Sequence, residues 1–358
     1  MAIQDFDDIL PHVGSFEEHD RIAEGLQCKD QNMRVYNKWD LPRRHHYANS
    51  NRIPNIVVDM TVNWRAYSKS EWILPGNHGW DNLTSDMNAM FVAQGPSFKK
   101  KIEDSTLNIT ESSSNEALKL HTPWGAAQTG SNQNIKAVIN NDYVAAFDVV
   151  SGLANWTSYR LKQPRLANFQ PQWRLDVRLA PSYASICDRF PSGIDSTWSV
   201  VPLFSFDTTL NSADLAVDTN AIEISKSFDT YWRDFHTLLN YCVNIYGETN
   251  VITGPVWDSP SSGLFVIVST CRSVGVALAD CPIDQLDKQS FIFPTKLRYS
   301  RNCIKSTKFF STNLATLPDI EHLTGLRFFP SLSFGDKAEI LSRTPLASPL
   351  LVDPDPSP

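Results

Sequence analysis

The chain has 358 residues, 42% of them hydrophobic, enough to bury a sizeable core and, by length, to form two domains. With 39 acidic against 32 basic residues its net charge is -7, which excludes a non-specific nucleic-acid binder, since that class needs a basic stripe to displace counterions. No apolar run reaches the roughly 18 residues needed to cross a membrane, and the acidic start Met1 to Asp8 does not read as a signal peptide.

In chain order, helical spacing is read near Phe16 to Leu26. From Ile53 to Val62, the residues Ile56, Val58, Met60 and Val62 alternate with Asn55, Val57, Asp59 and Thr61, the period of two expected of a strand entered at Pro54. Glu71 to Leu74 is a second short apolar element. After the cap candidates Thr84 and Ser85, Met87, Met90 and Phe91 recur at helical spacing. The short basic run Lys99 to Lys101 reads as a solvated helix end or loop. From Glu103 to Asn134 the composition turns to Ser, Thr, Asn and Gly, interrupted only by the patch Ala117, Leu118 and Leu120, and is expected to be a linker.

A second domain follows. Strands are expected at Tyr143 to Val150, Trp156 to Leu161, Trp173 to Leu179 and Ser199 to Phe206. The strongest helical signal is the broad apolar stripe Ile224, Phe228, Tyr231, Trp232, Phe235, Leu238, Leu239, Cys242, Ile245 and Tyr246, stopped by Gly247. Further strands are expected at Asn250 to Val256, Leu264 to Ser269 and Gln289 to Phe293, and Thr316 with Pro318 opens a short helix running through Phe328. Prolines crowd the end of the chain, so a disordered tail is expected.

The stretch Gly76-Asn77-His78-Gly79-Trp80-Asp81-Asn82 is where chemistry concentrates. A histidine between small residues can be presented on a sharp turn, and the Asp and Asn that follow could orient the ring or cap the next segment. Neutral imidazole is a common ligand of borderline metals, although one histidine makes no metal site, and a polar turn is the plainer reading. The other histidines, His12, His19, His45, His46, His121, His236 and His322, are expected to be structural. Six cysteines, at 28, 187, 242, 271, 281 and 303, include no Cys-x-x-Cys pair, so a zinc ribbon is not expected. Acceptor triplets at Asn82, Asn108 and Asn155 fit an exported glycoprotein with disulfides. Export conflicts with the missing signal peptide; a truncated chain resolves the conflict most simply, and a cytosolic chain with reduced thiols is the other reading.

Together with Leu41 to Asn49 (Leu-Pro-Arg-Arg-His-His-Tyr-Ala-Asn) and Gly95-Pro96-Ser97-Phe98-Lys99, the His78 stretch resembles the last part of the catalytic domain of the ectonucleotide pyrophosphatase/phosphodiesterases, the family that includes autotaxin. The segments Leu153 to Tyr159, Asn250 to Asp258 and Asp319 to Leu326 resemble landmarks of that family's nuclease-like domain, in the same order. The resemblance runs from about Ile22 to Phe329. It implies an α/β (α+β) chain with the C-terminal piece of an alkaline-phosphatase-like phosphodiesterase domain at 1-104 and a DNA/RNA non-specific endonuclease-like ββα domain at 136-335; composition adds a linker at 105-135 and a disordered proline-rich tail at 336-358.

The resemblance further implies that His78 is one ligand of a two-zinc site acting on a nucleotide or other phosphodiester substrate. The family's nucleophile and remaining ligands fall before the point where this sequence starts, so no catalytic residue is expected in the chain and the chain alone is expected to be inactive. It also implies disulfides joining Cys28 to Cys303 and Cys271 to Cys281, and an extracellular location; Cys187 and Cys242 pair with each other or stay free. Two departures from the family pattern stand out. Active nucleases of this kind carry Asp-Arg-Gly-His and a metal-binding Asn, whereas the matching strand here is Thr197-Trp198-Ser199-Val200-Val201-Pro202 and the Asn position holds Phe228, so neither nuclease activity nor nucleic-acid binding is expected. The family's acidic calcium loop is replaced by Asp258-Ser259-Pro260-Ser261-Ser262-Gly263, too few carboxylates for that ion. The alternative reading is a non-catalytic secreted glycoprotein or binding module that keeps the scaffold.

Overall fold

The computed structural model describes residues 16-48, 50, 52-65, 79-81, 84, 87, 115-129, 134-162, 176, 198-204, 217-258, 261-297 and 304-343. It is a mixed α/β chain that divides into two compact units, Met1–Glu103 with Leu297–Lys305, and Asp104–Lys296 with Ser306–Pro358.

In the first unit, helix α1 (Phe16–Leu26) lies on a two-stranded antiparallel sheet of β1 (Met33–Asn37) and β2 (Ile56–Met60). Ala23, with Ile22 and Leu26 beside it, packs on Val35, Ile56, Val58 and Met60, the face read from the alternation in this segment. The opposite face is also covered, by Tyr36, Leu41, Val57 and Ile53, so all five residues of β2 are buried, including Asp59. The elements expected at Glu71 to Leu74 and, apart from Thr84 and Met87, around Met90 lie outside the described residues.

The second unit is built on a six-stranded antiparallel sheet in the order β10-β9-β8-β5-β4-β3. Its strands are β3 (Ile135–Ile139), β4 (Val144–Asp148), β5 (Leu153–Leu161), β8 (Thr249–Asp258), β9 (Ser261–Cys271) and β10 (Leu286–Pro294). A separate pair, β6 (Trp198–Pro202) and β7 (Ala221–Ser225), leads into helix α3 (Lys226–Tyr246). One sheet face meets the aromatic stripe of α3, where Phe235 lies edge-on to Phe291 and Phe293 at 5.4 and 5.3 Å. On the other face Trp156, Ile252, Phe265, Ile267 and Ile292 form a core with Ile320, Phe328 and Trp124. Helices α2 (Asn115–His121), α4 (Ser306–Thr312), α5 (Leu317–Thr324) and α6 (Phe334–Ser342) complete the described part of the unit.

Local chemistry explains several boundaries. Helix α3 ends where Gly247 takes a left-handed conformation, φ 76°, and donates its N–H to the Val243 carbonyl. Helix α5 starts at a capping box between Thr316 and Asp319 and stops at Gly325, short of the Phe328 expected from sequence. Two expectations need correction. The segment read as a linker carries α2 and then buries Trp124, because the His121 carbonyl accepts hydrogen bonds from Asn250 Nδ2 at 2.8 Å and from Ser158 Oγ, tying this polar stretch to the sheet. Residues 336-343, read as the start of a disordered tail, are ordered: α6 runs to Ser342 and buries Ile340, Lys288 Nζ donates to the Ile340 carbonyl at 3.1 Å, and Arg343 to the Leu286 carbonyl at 2.6 Å; the rest of that stretch lies outside the described residues.

Strand β5 carries a bulge, with the register against β4 shifting between Ala146 and Phe147. Across from it β8 places Gly254 so close that a Cβ would stand 2.3 Å from the Asn155 carbonyl oxygen and 2.8 Å from the Phe265 ring. Gly254→Ala is therefore expected to destabilise the protein by about 1–3 kcal/mol, read as a lower urea midpoint. Gly335→Ala, whose nearest neighbouring atom would be 3.9 Å away, should leave the midpoint unchanged or raise it.

Candidate functional site

His78 itself, with Asn82, Asn108, Cys187 and Cys303, lies outside the described residues, and the turn is met just after it. Gly79 has φ 90°, a left-handed conformation that glycine takes without steric cost. Trp80 Nε1–H donates to the Trp64 carbonyl at 3.1 Å. Asp81 accepts from Arg44 through both oxygens, Nη1 to Oδ1 at 2.6 Å and Nη2 to Oδ2, a two-pronged pair. The carboxylate expected to orient an imidazole or cap a helix thus anchors the segment following His78 to the Leu41 to Asn49 stretch.

Arg44 reaches Asp81 from a single turn of 3-10 helix, Arg43–His45, that begins after Pro42 and ends where His46 turns left-handed, φ 51°. Its side chain is 1% exposed, so the guanidinium needs a counter-charge. A second pair lies on β1 and β2, where Arg34 stands directly opposite Asp59 and Nη1 is 3.6 Å from Oδ2. Burial raises the Asp59 carboxyl above the usual range, Arg34 opposes the rise and nearby Asp81 adds to it. Burial, reinforced by Arg44, pushes the His45 imidazole down to about 3, so that ring is neutral. Sequence reasoning missed this cluster, whose members are separated by intervals that match no helical or strand period.

Among the described residues no group of three His, Cys, Asp or Glu side chains is placed to hold a metal ion. The buried imidazoles are occupied otherwise. His121 is 2.8 Å from the Asn141 carbonyl through Nε2 and accepts from the Arg160 N–H through Nδ1 at 3.1 Å. His236 Nδ1 is 2.9 Å from the Trp232 carbonyl. The described side chains therefore make no zinc centre by themselves.

Cys271 and Cys281 are joined in a disulfide. Cys28 is disulfide-bonded to a partner outside the described residues, and Cys242 is a free, buried thiol, so Cys242 does not pair with Cys187. Asn155 is half-buried in β5, and the Thr157 of its acceptor triplet is fully buried. In the second unit Phe228 is 1% exposed and packs on Phe293 at 5.9 Å and Phe309 at 6.1 Å, as part of an aromatic core. Of the shortened loop, Ser259 and Pro260 lie outside the described residues. No described helix is long and apolar enough to cross a membrane.

The family described as type I phosphodiesterase / nucleotide pyrophosphatase matches residues 11–81, a span that closes on Asp81. Ectonucleotide pyrophosphatase/phosphodiesterase family member 3 of Bos taurus is 23% identical, over 87% of this chain and 49% of that protein. A venom phosphodiesterase of Macrovipera lebetinus is 21% identical over 87% and 50%, and human family member 1 is 22% identical over 87% and 47%. The chain spans about half the length of the curated relatives it matches.

Removing one partner of the buried Arg44–Asp81 pair strands the other. Asp81→Asn should cost about 3–5 kcal/mol in chemical denaturation, while Arg44→Met combined with Asp81→Leu should recover much of that loss. A pH effect follows from His236, which burial holds down at about 4 against roughly 6.5 in the unfolded chain. The folded state then binds fewer protons below about pH 6.5, so this contribution is present above that value and is lost as pH falls toward 4. The unfolding free energy from urea titrations should fall between pH 7 and pH 5 by on the order of 2 kcal/mol more in the wild type than in His236→Gln.

Proposed function

We propose that this chain, a relative of the ectonucleotide pyrophosphatase/phosphodiesterases, supplies the closing part of a phosphodiesterase domain, 1-104, and a nuclease-like scaffold, 136-335, to an extracellular hydrolase of nucleotide phosphodiester or pyrophosphate bonds. The observation that carries this reading is the family match over residues 11–81, which ends on Asp81, three residues after His78. The bond from buried Arg44 to that Asp81 supports it, since it holds the chain next to His78 in place.

In this reading His78 is one ligand of a zinc pair, and the remaining ligands and the nucleophile belong to sequence this chain does not contain. In the same reading the second unit is a nuclease-like scaffold that lacks the nuclease residues: β6 has neither Arg nor His, and Phe228 fills the position a metal-binding Asn would need. The Cys271–Cys281 disulfide and the bonded Cys28 support an oxidising compartment and hence an extracellular location, secreted or as the ectodomain of a membrane-tethered protein.

The test is cleavage of a chromogenic nucleoside monophosphate ester by the chain alone and by the chain joined to the catalytic segment of the bovine relative. The chain alone should be inactive, and the joined protein should be active and lose activity on chelation. His78→Ala should lower its apparent zinc affinity by at least about 10–100-fold, the loss seen even for residues that only support a ligand. Activity of the isolated chain that His78→Ala leaves unchanged would overturn the assignment.

A further inference from the structure

The second unit contains a half-open cleft of about 210 Å³ between the β6–β7 pair and the adjoining ends of β5, β8 and β9. Its small size matches a ligand of one or two rings rather than an extended one, since pockets for drug-sized molecules run about 300–1,000 Å³. Two indoles line it, Trp198 on β6 and Trp257 on β8. Trp257 is 57% exposed in a unit that buries most of its large aromatic side chains. Ala154 and Gly263 keep the wall low, and Ser262 Oγ and Thr295 Oγ1, 2.9 Å apart, make a polar corner.

Two charged groups flank the indoles. Glu223 on β7 lines the cleft, is exposed, and has no ion pair among the described residues. Lys296 Nζ stands over the Trp198 ring, 5.5 Å from its centroid.

Charge and shape together narrow the ligand. An anion such as a nucleotide would gain Lys296 but face Glu223; an organic cation would gain Glu223 but face Lys296, which already occupies one indole face. A wholly apolar ligand would desolvate both charges without replacing their hydrogen bonds. A neutral ring with an apolar C–H face and a hydroxylated edge satisfies every group: the face lies on an indole, and the hydroxyls donate to the carboxylate and accept from the ammonium. We infer that this cleft is a saccharide-binding site, with Trp257 as its stacking platform and Glu223 and Lys296 as its hydroxyl partners. The site is independent of any phosphodiesterase chemistry.

The experiment is saturation-transfer NMR with the full chain, using mannose, galactose and N-acetylglucosamine as probes beside choline and adenosine monophosphate. At least one sugar is expected to bind with a dissociation constant of about 1 mM. Trp257→Ala should weaken it about tenfold, the loss of one stacked ring, and Trp257→Phe should retain most of the affinity. Glu223→Gln should weaken it as well. Both side chains are exposed, so these variants should melt as the wild type does, which separates lost binding from lost folding. The inference is overturned if none of the sugars binds, if choline or the nucleotide competes for Trp257 and the sugars do not, or if sugar binding survives Trp257→Ala unchanged.

Discussion

A charge taken out of water must find its opposite, and this requirement fixes more of the described structure than any single apolar contact. The Arg44 guanidinium is almost wholly buried, and its two bonds to Asp81 set where the segment after His78 lies. Desolvating an ion costs several kcal/mol, repaid only when geometry and hydrogen bonds are both good, so such pairs hold position more than they add stability. The described part of the first unit packs one helix on two strands, and the Arg34–Asp59 pair lies on the second face of those strands.

The same rule works in the second unit. Glu321 on α5 is buried, accepts the Phe328 N–H at 2.8 Å, and has Arg327 and Lys337 each 3.6 Å away, so one carboxylate holds the helix, the segment after it and α6 together. Asn250 on β8 donates to the His121 and Tyr159 carbonyls at 2.8 and 3.1 Å, joining the helix before the sheet to its centre. Both residues sit in segments through which the resemblance to the nuclease-like domain was read. Those segments act as scaffold, since their polar side chains satisfy buried backbone groups.

The elements legible in the sequence are those with long, clean periodicity. The stripe from Phe228 to Tyr246 with Gly247 behind it, and the apolar runs of β8, β9 and β10, are long enough for pattern to decide. Helix α3 begins two residues later than its stripe suggested, because Ile224 lies within β7 and Ser225, the last residue of that strand, is the N-cap, so an apolar residue belonging to the strand continues the helical spacing by coincidence. Strands β1 and β3 and helix α2, with five, five and seven residues, are too short for periodicity to decide. Helix α6 did carry a local sign, the N-cap Ser333, whose Oγ accepts the Asp336 N–H, but the neighbouring prolines obscured it. The candidate site was legible as one imidazole on a turn; its Arg44–Asp81 anchor was not, because 37 residues separate the partners.

Histidine shows why identity alone misleads about a site. His45 is kept neutral by burial, and His121 is buried with both ring nitrogens hydrogen-bonded to the backbone. His236 is buried within α3, bonded to the turn below and packed edge-on to Trp232 at 4.5 Å. His121 thus has both ring nitrogens engaged, and His236 is enclosed in the packing of α3, so neither is presented to a metal. An imidazole is available to a metal only where it is clear of such partners; of the chain beside His78, the described residues show a left-handed Gly79 and, two residues further on, Asp81 fixed by Arg44. A metal centre there still depends on donors other than the described side chains, because one imidazole satisfies a single coordination position of the four that zinc usually takes.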